Sequence, residues 1–78
     1  MSKYTTIDRT WEDRLQAIRQ DMRSEDYGRL YFLLSLCLIE AYDENDYDRH
    51  EAIKKALHGM RMHDLSELAE GIAELEEL

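Results

Sequence analysis

Apolar side chains recur along this 78-residue chain at the spacing of α-helices, and four helices are predicted, over about 7–23, 26–42, 46–61 and 64–77. Three of them carry one narrow apolar stripe, with residues three or four apart, opposite a charged face. The stripes consist of Ile7, Trp11, Leu15, Ile18 and Met22 in the first helix, Ile53, Ala56, Leu57 and Met60 in the third, and Leu65, Leu68, Ile72 and Leu75 in the fourth.

The second segment has no such stripe, because it carries no charge from Leu30 to Ile39. A short apolar run can also be a buried strand, but leucine predominates here over β-branched residues and a lone strand would have nothing to pair with. A helix that is apolar on every side must be enclosed, so we expect 26–42 to be the central helix with the other three around it. Three narrow stripes fall short of covering it, and a second copy or a partner protein would bury the remainder.

Short polar side chains mark the helix starts. Ser24 or Asp26 is suited to cap the second helix, and Asn45 or Asp46 the third. Variants of the capping box stand at 5–8 and 64–67, each with Asp or Glu at the fourth position. Since Gly59 is the only helix breaker near the last boundary, the third and fourth helices could also form one bent helix. The fold class expected is all-α, a small compact bundle of four short helices in one domain.

Composition narrows the possible partners. Acids outnumber bases 18 to 10, for a net charge of −8. Such a surface repels nucleic acid and anionic lipid and attracts basic proteins, although an acidic surface also serves solubility alone. The longest apolar run is well short of the roughly 20 residues of a membrane span. With no secretory signal at the start and only one cysteine, Cys37, a cytoplasmic protein without direct nucleic-acid or membrane binding is expected.

Candidate chemistry is sparse. His50, His58 and His63 are the only histidines, and no paired ligand motif accompanies them, so no metal site is expected. The segment DENDYD at 43–48 begins like a calcium loop but lacks the required glycine and terminal glutamate. Cys37 lies within the apolar run, as a structural thiol does. We therefore expect neither an enzyme nor a cofactor.

Two surfaces are candidates for binding a protein. The first is the segment AYDENDYD, in which two tyrosines stand among acidic residues. Tyrosine is suited to interface contacts, and the acids would attract a basic partner. The candidate residues are Tyr42, Asp43, Glu44, Asp46, Tyr47 and Asp48. The second is a line of glutamates on the fourth helix, opposite its apolar stripe: Glu67, Glu70, Glu74 and Glu77. The alternatives are a polar turn and a solvated helix end, respectively.

The sequence thus favours a small acidic interaction module that inhibits or regulates another protein. A basic nucleic-acid-handling protein is one candidate partner, because regularly spaced carboxylates resemble a phosphate backbone. The alternative is a self-associating structural or scaffold protein, a homodimer with no separate ligand.

Overall fold

A computed structural model describes residues 11–78, which form four α-helices and no strand. The helices are α1 (Trp11–Ser24), α2 (Tyr27–Asp43), α3 (Tyr47–Arg61) and α4 (Leu65–Glu77). The predicted all-α bundle is confirmed, and α3 and α4 are separate helices rather than one bent helix. The predicted first turn from residue 7 and its cap at 5–8 lie outside the described residues.

All three connections are built in the same way. Each connection contains one residue with a left-handed backbone, followed directly by an aspartate. These residues are Glu25 and Asn45, at φ 58°, and His63, at φ 55°. The backbone N–H groups of this residue and of the next one donate to carbonyls of the preceding helix, in the pattern of a Schellman turn. The next residue is Asp26, Asp46 or Asp64, whose carboxylate accepts from the backbone N–H three positions on and caps the following helix. Of the predicted alternatives, Asp26 rather than Ser24 caps α2 and Asp46 rather than Asn45 caps α3, and the predicted cap at Asp64 is confirmed.

Two glycines allow the backbones of α3 and α4 to touch. A Cβ on Gly71 would lie 2.5 Å from the backbone nitrogen of Ala56 and 2.8 Å from the carbonyl oxygen of Ala52. A Cβ on Gly59 would lie 2.5 Å from the backbone nitrogen of Leu68. Each helix therefore contributes one glycine to the crossing, and α3 and α4 make the most extensive contacts of any helix pair.

One core joins all four helices. Its members are the buried apolar residues Leu15, Ile18, Leu30, Leu34, Cys37, Ala41, Ala52, Ile53, Ala56, Leu57, Leu68, Ile72 and Leu75. The predicted stripes of the first, third and fourth helices supply most of this list. Three stripe residues, Trp11, Met22 and Met60, are only partly buried and pack against this core. Leu65, the first residue of α4, is 60% exposed.

Cys37 is buried within this core, as expected of a structural thiol. Desolvation raises the pKa of its thiol to about 11, and Glu40 adds to the shift while Arg14 opposes it.

The expected enclosure of α2 is met on one side only. Its buried residues face α1 and α3, whereas α4 packs mainly against α3 and leaves the outer side of α2 uncovered. There Phe32, Leu36 and Ile39 are 65%, 46% and 56% exposed. We call these three residues the apolar strip. Among residues 11–78, no helix is both long and apolar enough to cross a bilayer.

The glycine crossing predicts opposite effects for two Gly→Ala substitutions. Gly71→Ala should lower the free energy of unfolding by about 1–3 kcal/mol, because the new methyl must push backbone atoms apart. Gly28 lies on the exposed surface of α2, and no atom lies within 4 Å of the methyl that alanine would add. Gly28→Ala should therefore leave the free energy of unfolding unchanged or raise it by about 0.5 kcal/mol. Urea unfolding of the two variants measures both effects, and equal stabilities would contradict the close contact.

Candidate functional site

The AYDENDYD segment spans the end of α2, the turn at 44–46 and the start of α3. Its six predicted binding residues fall into two groups. Glu44 and Asp46 are committed to contacts that hold the turn in place. Tyr42, Asp43, Tyr47 and Asp48 are exposed around it.

Trp11, at the start of α1, anchors the turn from outside the segment. Its indole N–H donates to Glu44 Oε1 at 3.0 Å. The guanidinium groups of Arg14 and Arg49 lie over its ring, 4.5 Å and 4.9 Å from the centroid. Arg14 also pairs with Glu44 at 3.6 Å and with Glu40 at 3.5 Å. These contacts join α1, α2 and α3 at one end of the bundle.

Asp46 has two structural roles in the turn. It caps α3 by accepting from the backbone N–H of Arg49 at 3.2 Å, and it pairs with the guanidinium of the same residue at 2.6 Å. Partial desolvation works to raise the pKa of Asp46, but the hydrogen bonds and charge of Arg49 outweigh it and the pKa lies below its ordinary value of 3.8. The contacts with Arg49 therefore favour the ionised form of this carboxylate.

The other four residues leave most of their surface to solvent. Tyr42 and Tyr47 are each 65% exposed. The Tyr42 ring leans against His50 with a centroid separation of 5.9 Å, and the Tyr47 hydroxyl lies 3.5 Å from the side-chain oxygen of Asn45. Neither Asp43 nor Asp48 has an ion pair or side-chain hydrogen bond within residues 11–78. We call Tyr42, Asp43, Tyr47 and Asp48 the acidic–tyrosine patch.

Three of the four predicted glutamates contact polar side chains of α3. Lys55 lies 2.7 Å from Glu74 and 3.5 Å from Glu70, and His58 Nδ1 lies 2.7 Å from Glu67. The hydrogen bond from Lys55 to Glu74, helped by the charge of Glu70, raises the pKa of the lysine although desolvation opposes the shift.

Glu70 and Glu74 remain largely exposed, as expected for a face opposite the apolar stripe, but with Glu67 they also reach the edge of the contact with α3. Glu77 alone of the four has no such ion pair within the described residues.

Two buried charged residues, one at the site and one near the α1–α2 connection, were missed by the sequence reasoning. Arg14 is buried, and it stands three positions after Trp11, on the same side of α1 as the apolar stripe. Asp21, likewise buried, stands three positions after Ile18 and lies 3.8 Å from Arg29 of α2. Charged residues at stripe positions are the signal that would have indicated ion pairs between helices.

Metal-ligating side chains do not converge in this part of the chain. Among residues 11–78, no group of three or more His, Cys, Asp or Glu side chains is arranged to hold a metal ion. The arrangement that the described residues do offer is a surface of acids and phenols, which is suited to hydrogen bonding and to attracting cations.

Asp46 provides a pH-dependent test of how the turn is held. Asp46→Ala should lower the free energy of unfolding at pH 7 by about 1 kcal/mol, because α3 loses its cap. Asp46→Asn keeps a capping oxygen and removes only the negative charge that pairs with Arg49. It should therefore lower the free energy of unfolding by less than Asp46→Ala does.

The fold lowers the pKa of Asp46. Its ion pair with Arg49 therefore stabilises the folded protein above the ordinary pKa of the carboxyl, and this stabilisation is lost as pH falls through the pKa in the folded protein. The stability difference between the wild type and Asp46→Asn should therefore shrink as pH falls below the ordinary pKa of 3.8 and close once the folded carboxyl is protonated. Urea unfolding at neutral and acid pH measures the difference, and a gap that persists in acid would contradict the role of the charge.

Comparison of the chain with protein-family models, curated proteins and solved structures found no match. The functional argument therefore uses the surfaces described above, and above all the difference between acids that are paired within the bundle and acids that are not.

Proposed function

We propose that this protein is a small acidic interaction module that binds a basic surface of another protein and thereby inhibits or regulates it. The acidic–tyrosine patch is the proposed contact surface. One observation carries the proposal: Asp43 and Asp48 are exposed and unpaired within the described residues, beside two tyrosines that are each 65% exposed.

The contrast with α4 supports this choice of surface. A basic partner that approached Glu70 or Glu74 would compete with Lys55, which already lies within 3.5 Å of both. Asp43 and Asp48 have no such competitor, so their charge is available to an incoming Lys or Arg. The paired glutamates still add to the long-range negative field that attracts such a partner.

The rigidity of the turn also favours binding. Trp11, Arg14, Glu44, Asp46 and Arg49 hold residues 44–46 from three helices, so the patch is in place before a partner arrives. Tyrosine has few rotatable bonds and a large contact area, and it loses little entropy when it is buried at an interface. A preformed surface of this kind reduces the cost of association.

The proposed partner class follows from charge. Proteins that handle nucleic acids carry basic grooves for phosphate, and an acidic surface can occupy such a groove and exclude the nucleic acid. Inhibition by occupation of the groove is the mechanism that this chemistry favours.

Capture of proteins from a lysate of the source cell tests the proposal. Tagged protein should retain a basic partner at low salt and release it at high salt, because charge attraction is screened. Asp43→Asn/Asp48→Asn should abolish most of the retention.

A matched control removes the same charge elsewhere. Glu70→Gln/Glu74→Gln also loses two negative charges, but at positions that already contact Lys55, so retention should change little. Equal losses in the two double variants would show that net charge alone attracts the partner. Retention that neither salt nor Asp43→Asn/Asp48→Asn reduces would contradict the proposal.

A further inference from the structure

The apolar strip on α2 is the largest feature that the proposed function leaves unused. Isolated exposed apolar side chains are ordinary, but Phe32, Leu36 and Ile39 follow one another at helical spacing on the side of α2 opposite the core. Leu36 and Phe32 also border a groove between α1 and α2, lined on the α1 side by Gln16 and Gln20. The strip therefore has both a ridge and a neighbouring hollow.

The charges at the two ends of the strip are placed symmetrically. Arg29 stands seven residues before Leu36, and Asp43 stands seven residues after it. Seven residues make nearly two helical turns, so both charges lie on the same side of α2 as Leu36, about 10.5 Å from it along the helix axis. One end of the strip is thus basic, the other acidic and the centre apolar.

We propose that a second copy of this chain covers the strip, in an antiparallel two-fold dimer centred near Leu36. Two-fold symmetry brings each position before the centre against the position equally far after it. Leu36 then meets Leu36 of the second copy, and Arg29 meets Asp43. Phe32, four residues before the centre, lies against Ile39, three residues after it, so these two are one residue off exact register. Apolar residues face apolar residues, and opposite charges face each other at both ends.

Charge complementarity selects this occupant and this direction. A parallel pair of α2 helices would place Arg29 against Arg29 and Asp43 against Asp43. A uniformly basic partner would be opposed by Arg29, whose side chain is 75% exposed. The antiparallel second copy satisfies both ends of the strip at once.

The dimer does not rest on the proposed function, but the two use Asp43 differently. In the dimer Asp43 faces Arg29 of the second copy, so there a basic partner would meet Asp48 as the unpaired acid of the patch. In the antiparallel pair, the two acidic–tyrosine patches lie near opposite ends of the interface. Each patch keeps Tyr47 and Asp48, which stand on the turn and α3 rather than on α2.

Sedimentation equilibrium of the full chain, without any partner protein, tests the dimer. The expected result in the micromolar range is a species of twice the mass of one chain, with little dependence on salt because the interface is mainly apolar. Leu36→Glu should raise the dissociation constant on the order of a hundredfold, because it places two unpaired carboxylates at the centre. Leu65→Glu is the matched control, since Leu65 is an exposed leucine on α4, and it should leave the dimer intact.

A charge exchange tests the antiparallel register. Asp43→Arg, which removes no side-chain contact within the described residues, should weaken the dimer about tenfold because it faces Arg29. Adding Arg29→Glu to this variant should restore most of the affinity. Arg29 also lies 3.8 Å from the buried Asp21, so circular dichroism must show that the double variant is folded. If it is not, Asp43→Arg and Leu36→Glu still decide the test.

Three results would overturn the proposal. A wild-type chain that is monomeric throughout the micromolar range would leave the strip to a different occupant. A dimer that Leu36→Glu does not weaken would use another surface. A folded double variant that remains as weak as Asp43→Arg would exclude the antiparallel register.

Discussion

A single aspartate ends one helix and caps the next at every connection, and the packing of the bundle depends on these three turns. The left-handed residue before each aspartate reverses the chain, and the aspartate supplies an acceptor for the N–H groups that begin the new helix. Because each connection takes only two or three residues, consecutive helices must lie side by side. That arrangement sets Gly59 against the backbone of α4 and Gly71 against the backbone of α3, and it leaves α2 covered by α1 and α3 on one side.

The turn at 44–46 both connects α2 to α3 and holds the exposed side chains of the acidic–tyrosine patch. Asp46 caps α3 as Asp26 and Asp64 cap α2 and α4, so this carboxylate has the same structural role as the other two. What distinguishes the turn at 44–46 is its surroundings, where Trp11 and two arginines hold the turn from the inside while tyrosines and free acids extend outward. The fold thus divides the acids of one short segment into those that stabilise the bundle and those that face solvent.

The sequence was sufficient for the number of helices, the positions of their caps to within two residues, and the core faces of α1, α3 and α4, because each depends on spacing within one helix. It was not sufficient for features that depend on how two helices are rotated against each other. The pairing of Glu70 and Glu74 with Lys55 needs α3 and α4 to cross at a given angle, which the glycines set and helical spacing does not reveal. The burial of Arg14 has the same origin, since Glu40 and Glu44 reach it from α2.

The burial of Cys37 makes this thiol an internal reporter of motion. With a pKa of about 11 and almost no accessible surface, it stays protonated and shielded at neutral pH, so a thiol reagent reacts with it only while α2 is transiently separated from the core. Because it is the only cysteine in the chain, the labelling rate reports on one place. The native chain can therefore be followed as it opens and closes, without any introduced probe.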